Sequence, residues 1–260
     1  MSPREAFFLS IDPAGANSPL FSGEALQQSG SPFGDASLHG PAIFTQSGLS
    51  NGAADVSIGL VSFDGNGNIA GEFDENNGGA VTTEAQLTGT YVAQSNGRTL
   101  LNLVDVKTQN VSSLVAYLIA PNTAFLLSRE AAVQIGTLQP QLVAAPFGNS
   151  LLAGTFTFAP DAVADSSALL ATGVGIFSGT GGQAGLVGTE DSSQNSVNKP
   201  NLAVAGTYSV SSVSNNGRGV ASVTTPGTQM IAFWMVSFSE AVGIDVDAGY
   251  QNPTVVIFEQ

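Results

Sequence analysis

No cysteine occurs among the 260 residues. Its absence excludes disulfides, thiolate nucleophiles and Cys-ligated metals together. Histidine is nearly absent too. His39 stands alone, so a multi-histidine metal site cannot be assembled, although one imidazole could still act as a general base. Basic residues are scarce: Arg4, Arg98, Lys107, Arg129, Lys199 and Arg218 face twenty acids, for a net charge of −14. Six scattered cations cannot make a phosphate-binding stripe, which argues against nucleic acid and anionic membranes as partners. Charged residues total 10%, well below the usual share of about a quarter. The surface must therefore be made of Ser, Thr, Asn, Gln and Gly. No apolar run approaches the ~18 residues of a membrane helix. The opening MSPREAFFLS lacks the charged, apolar and small-residue regions of a secretory signal. The chain reads either as cytosolic or as a piece of something longer.

What is present is repetition. Hydrophobic residues make up 43%, enough for a packed core. PFGDASLHG at Pro32–Gly40 returns as PFGNSLLAG at Pro146–Gly154, an offset of 146 − 32 = 114. Phe63–Gly71 (FDGNGNIAG) is matched by Phe177–Gly185 (FSGTGGQAG), again at 114. GTY at Gly89 recurs at Gly206, NGR at Asn96 recurs at Asn216, and VAYLIA at Val115 resembles IAFWMV at Ile231. Five matches in one order predict a tandem duplication, with units at 32–145 and 146–260. Residues 1–31 belong to neither unit. AFFLS (Ala6–Ser10) resembles AFLLS (Ala124–Ser128), and GEALQQ (Gly23–Gln28) resembles GTLQPQ (Gly136–Gln141). This segment reads as the closing hairpin of a preceding repeat, expected to pack on the first unit or to pair with another strand, because a lone hairpin is marginal in water.

Apolar and polar residues alternate in TLLNLVDV and GIDVDAGY, the period of half-buried strands. Asn-Gly turns fall at Asn51, Asn77, Asn96 and Asn216, suited to tight hairpins. The first unit should hold strands near 42–48, 56–64, 68–75, 80–87, 88–95 and 99–107, two within 112–129, and a closing strand at 133–141. The fold class is thus all-β: two tandem antiparallel barrels, or barrel-like sandwiches, of about eight strands each, plus an amino-terminal hairpin. The series PFGNSLLAG, DGNGNIAG, GTY, NGR and a closing glutamine resembles bacterial secreted or cell-surface tandem β-barrel repeats, similar to lipocalin-like and allene-oxide-cyclase-like barrels. That resemblance implies a fold and an extracellular or cell-surface location. It implies no active site, since its motifs are turn and packing residues.

Several stretches imitate chemistry. Gly65–Ala70 and Gly179–Ala184 both fit a dinucleotide fingerprint ending in Ala, but acidic, strand-like sequence follows where a phosphate-binding helix must begin. Asp64, Asn66 and Asn68 are spaced like calcium ligands, with Glu75 at the twelfth place. Ile69 occupies the sixth place, where an EF-hand needs glycine. A looser surface calcium site from Asp64, Asn66, Asn68 and Asp74 is the candidate metal site; no other cofactor is expected. Because its counterpart in the repeat is Ala153, His39 should be a partly exposed residue at a strand start. Asp245 and Asp247 share a strand face, most simply toward solvent. Phe233 and Trp234 read as core, with a stacking role at a barrel mouth as the alternative. The composite expectation is a non-enzymatic structural or interaction module of a larger surface protein, whose partners are other repeats of the same or neighbouring chains. The alternative is a barrel that holds a small apolar ligand.

Overall fold

In a computed structural model of the chain, residues 5–9, 22–161, 171–194, 197–211 and 214–260 are described. Among the described residues, strands β1 (Glu5–Leu9) and β2 (Ser22–Leu26) pair with each other alone. A closed eight-stranded barrel follows: β3 (His39–Ser50), β4 (Ala53–Asp64), β5 (Asn68–Asn77), β6 (Ala80–Ala93), β7 (Arg98–Asp105), β8 (Val111–Ala120), β9 (Thr123–Ser128) and β10 (Val133–Pro140). The second barrel comprises β11 (Ala153–Asp161), β12 (Ala171–Thr180), β13 (Gly185–Gln194), β14 (Val197–Val210), β15 (Arg218–Thr225), β16 (Gln229–Met235), β17 (Glu240–Asp245) and β18 (Val255–Glu259). Each barrel is an antiparallel meander whose first and last strands pair, so neither leaves an open edge. The segments expected at 80–87 and 88–95 form one long strand, β6. A bulge on β6, where Thr83 and Glu84 stand opposite Asp74 of β5, bends this long strand without interrupting it.

The duplicated PFG motif turns out to be a lid. In both units it leads into a short 3-10 turn, Asp35–Ser37 and Asn149–Leu152, that crosses one end of the barrel. Phe33 and Leu38 enter the first core, and Phe147 and Leu152 the second. The Asp35 carboxylate accepts the Ala93 N–H at 2.7 Å, and the Asn149 amide oxygen accepts that of Val210 at 2.8 Å. The tyrosine of each GTY motif anchors the same lid: the Tyr91 hydroxyl lies 2.9 Å from Leu38 O, and that of Tyr208 lies 3.1 Å from Asn149 O. Each NGR motif receives the chain that enters its barrel. Gln28 Nε2 donates to Leu118 O at 2.7 Å and to Asn96 O at 3.2 Å; Gln141 Nε2 donates to Asn216 O and Met235 O at 2.9 and 3.0 Å. Gly97 and Gly217 must be glycine here. Both have positive φ, and a Cβ on either would strike the glutamine amide and the lid phenylalanine.

Hydrogen-bond register refines the repeat. His39 faces Asp64 while Ala153 faces Thr180. Asp64 therefore corresponds to Thr180 rather than to Ser178. Arg98 faces Tyr117 and Arg218 faces Trp234, which equates Trp234 with Tyr117. In the amino-terminal hairpin, Ala6 faces Ala25 and Phe8 faces Gly23, just as Ala124 faces Leu138 and Leu126 faces Gly136. The hairpin thus has the register of β9–β10, and Gln28 and Ser29 tie it to the first barrel, Ser29 N donating to Ile119 O at 2.7 Å.

Between the barrels runs a third core. Ile43, Val56 and Ile58 on the outer face of β3–β4 pack with Trp234, Val236, Val242, Ile244 and Val255. Asp74 lies at its centre. Phe73 faces the first core, and strand alternation turns Asp74 outward opposite Ile58, where it is fully buried. The Arg218 guanidinium grips its carboxylate through Nε at 2.9 Å and Nη2 at 2.7 Å. Trp234 Nε1 donates to Oδ2 at 2.9 Å, and Arg218 Nη1 reaches Glu84 at 2.7 Å. Burial opposes the charge on Arg218, yet the hydrogen bond and charge of Asp74, with help from Glu84, raise its pKa above the ordinary value. At the rim, Asn76 Nδ2 donates to Asp245 O at 3.0 Å and Gly249 N donates to Gly79 O at 2.9 Å.

A buried ion pair adds little net stability, but breaking it leaves an uncompensated charge. Arg218→Met should lower unfolding free energy by about 3–5 kcal/mol. Adding Asp74→Leu to that variant should recover part of the loss. Urea denaturation of the single and double variants checks both expectations, and a double variant no better than the single would contradict this view of the seam.

Candidate binding cavity

The second barrel encloses a cavity of about 480 Å³. Its floor is Leu152 and Tyr208 beneath the lid, and its walls include Phe158, Phe177, Phe233 and Val256. Two positions make room. Ala221 and Gly243 stand where the first barrel has the buried leucines Leu101 and Leu126, as the pairings Ala221–Ile231 and Leu101–Leu114, and Phe233–Gly243 and Ala116–Leu126, establish. Polar groups gather at the opposite end: Glu190, Lys199, Gln229, Asp245, Asp247 and Tyr250. Burial pushes the Glu190 carboxyl up. It also pushes up Asp245, against the hydrogen bonds from Asp247 N–H at 2.8 Å and Gln229 Nε2 at 2.7 Å. An apolar chamber with three acids and one base at its polar end suits a neutral or cationic apolar molecule.

The expectation that Asp245 faces solvent is corrected: it is buried at that polar end. Asp247 is partly buried and accepts the Met230 N–H at 2.9 Å. Phe233 and Trp234, adjacent in sequence, divide between opposite faces. Phe233 lines the cavity and Trp234 fills the seam, so the tryptophan is core but not a ligand platform.

The four candidate calcium ligands do not converge. Asp64 Oδ1 accepts the backbone N–H groups of Asn66 and Asn68 at 2.7 and 2.9 Å, and Oδ2 accepts Asn68 Nδ2 at 2.6 Å. The side-chain hydrogen bond from Asn68 leads these in lowering the Asp64 pKa. Asp74 lies six residues along β5, roughly 20 Å away at strand rise, and is committed to Arg218 and Trp234. Among the described residues no group of three or more acidic, histidine or cysteine side chains is placed to hold a metal ion. Both glycine fingerprints sit in hairpin turns that lead into β5 and β13. Gly48-Leu49-Ser50-Asn51-Gly52 spells the G-x-S-x-G of a nucleophile elbow, but it forms the β3–β4 hairpin, with Asn51 and Gly52 at positive φ. His39 is exposed at the start of β3, as expected.

A buried polar group in the first barrel was not singled out from the sequence. Gln46, Asp55, Ser57 and Glu75 occupy the inner wall at the end away from the lid, with Ser57 facing both Gln46 and Glu75 across strands. Asp55 Oδ1 and Gln46 Nε2 are buried without a hydrogen-bond partner. Burial, then the charge of Glu75, pushes the Asp55 carboxyl up to about 7. Burial and then Asp105 raise that of Glu75. Only the inward parity that Asp55 shares with Ser57, Val61 and Phe63 of β4 could have signalled this.

Among the described residues no helix is long and apolar enough to cross a membrane. No protein-family model matches the chain, and no curated protein matches it significantly.

The acids of the first barrel make stability pH-dependent. Unfolded, Asp55 ionises near 3.8; folded, it keeps its proton to about 7. Below pH 3.8 both states hold the proton and nothing is lost. Between 3.8 and 7 the unfolded state releases it first, so stability falls as pH rises, and above 7 the loss is complete. A shift of that size corresponds to roughly 4 kcal/mol at most. Asp55→Asn should therefore match the parent near pH 4 and exceed it at about pH 8. Thermal melts of both proteins across that range check the divergence.

Proposed function

We propose that the chain is a non-enzymatic structural or interaction module of an extracellular surface protein, in which successive barrels are locked side against side. The seam carries this reading. A buried apolar core crossed by a buried Asp–Arg–Trp contact fixes one barrel on the other, far more than a flexible tether between independent binding domains needs. The uncharged polar surface, the lack of thiols and the resemblance to bacterial cell-surface repeats support placement outside the cell. NMR relaxation tests the reading: the two barrels should share one rotational correlation time, and Arg218→Met should separate them. Independent tumbling in the parent protein would sink it.

A second reading rests on the cavity. The second barrel is a small-molecule receptor of lipocalin type, taking an apolar ligand with a neutral or cationic end. Ala221→Leu, which restores the side chain of the first barrel, should abolish binding of a neutral fluorophore such as 1-aminoanthracene. Fluorescence titration reads the loss; equal binding by parent and variant would place the fluorophore elsewhere.

A further inference from the structure

Each barrel carries, on the side not used in the seam, the missing half of the same seam. On the second barrel Asp191 occupies the place of Asp74. Both lie on the third strand opposite a bulge of the fourth, and both accept the backbone N–H of the left-handed residue in that bulge, Glu84 at 3.2 Å and Asn201 at 2.6 Å. Ile58 faces Asp74 across strands, as Val174 faces Asp191. Asp191, however, is exposed, and Val174 is 55% exposed where Ile58 is 0%. On the first barrel the complementary half is equally bare. Arg98 holds the place of Arg218 but makes no ion pair among the described residues. Tyr117 is 50% exposed where Trp234 is 0%, and Leu127 is 46% exposed where Ile244 is 0%.

We propose that these two faces bind one another between molecules: the Asp191 face of the second barrel takes the Arg98–Tyr117 face of a second copy of this chain, head to tail. This rests on reading the chain as an interaction module. The partner is a second copy because the two free faces are opposite in charge and present exposed apolar residues, Val174 and Ile176 on one and Tyr117 and Leu127 on the other, and because their counterparts already meet within the chain. Such a contact is heterologous, so it propagates instead of closing as a two-fold dimer. In the docked pair, the β17–β18 hairpin of one copy takes the place held by β1–β2 of the other. That amino-terminal hairpin pairs with no barrel strand among the described residues. Among the described residues, its hydrogen bonds to the barrel come from Gln28 and Ser29, so it can be displaced without opening a barrel.

Sedimentation velocity on the full chain at physiological salt tests the contact, with charge reversals on each side. The parent should associate as its concentration approaches the millimolar range, with no closed dimer endpoint. Asp191→Arg brings a second guanidinium against Arg98, and Arg98→Asp brings a second carboxylate against Asp191, so each variant alone should associate at least about tenfold more weakly. Mixed in equal amounts, the two variants offer each other opposite charges at both faces and should recover association. A parent monomeric throughout, single variants that associate like the parent, or a mixture that fails to recover would each overturn the proposal. Because Asp191 and Arg98 lie outside the intramolecular seam, shared tumbling of the two barrels survives such a failure, and the module reading is judged separately.

Discussion

The carboxylate of Asp74 organises the molecule. It has no access to water, and it is answered by Arg218, by Trp234 and by the Glu84 amide. A charge in that position tolerates few alternatives, because any slip of one barrel over the other strands it without a partner. Apolar contacts around it, from Ile58 to Ile244, supply area but little direction. The pair sets orientation. The bulge on β6 serves it: strand alternation already aims Asp74 outward, and the extra residue opposite brings the amide of left-handed Glu84 to its carboxylate.

The duplication, the strand periodicity and the hairpin turns could be read directly from the residues, because each depends on local backbone chemistry or on the alternation of faces. The lid motif was visible as a repeat but not as a lid, since its meaning comes from Tyr91 and Tyr208, contributed by strands far along the chain. The seam was not legible at all. Asp74 and Arg218 are brought together only by the closing of two separate barrels. Local spacing tied Asp74 instead to Asp64, whose neighbourhood it does not share. Trp234 shows how narrow the margin is: pairing VAYLIA with IAFWMV one residue out of register hides that Tyr117 is its counterpart, and one residue is the difference between a barrel's inside and its outside.

One frame holds two different interiors. Where the first barrel places Leu101 and Leu126, the second places Ala221 and Gly243 and opens a chamber. Where the second barrel gathers Glu190 and Asp245 at the polar end of its cavity, the first buries Asp55 and Gln46 with groups unpaired. The lid, the NGR turn and the incoming glutamine are the same in both. What the copies share is therefore the apparatus of closure and attachment, and what separates them is the volume enclosed.

The linker glutamine also imposes an order on synthesis. The first barrel closes when β10 pairs with β3, a ladder that ends at Pro140 opposite Ala42, and the next residue, Gln141, reaches for a turn that has not yet been made. A nascent chain at that stage holds a finished barrel whose Ile43 and Ile58 lie bare and whose Asp74 is still hydrated. Only when β15 and β16 emerge do Arg218 and Trp234 strip that water away. The first barrel thus leaves the ribosome with one sticky flank that the second must cover, and the interval before it arrives is when the growing protein is most exposed to capture by a wrong neighbour.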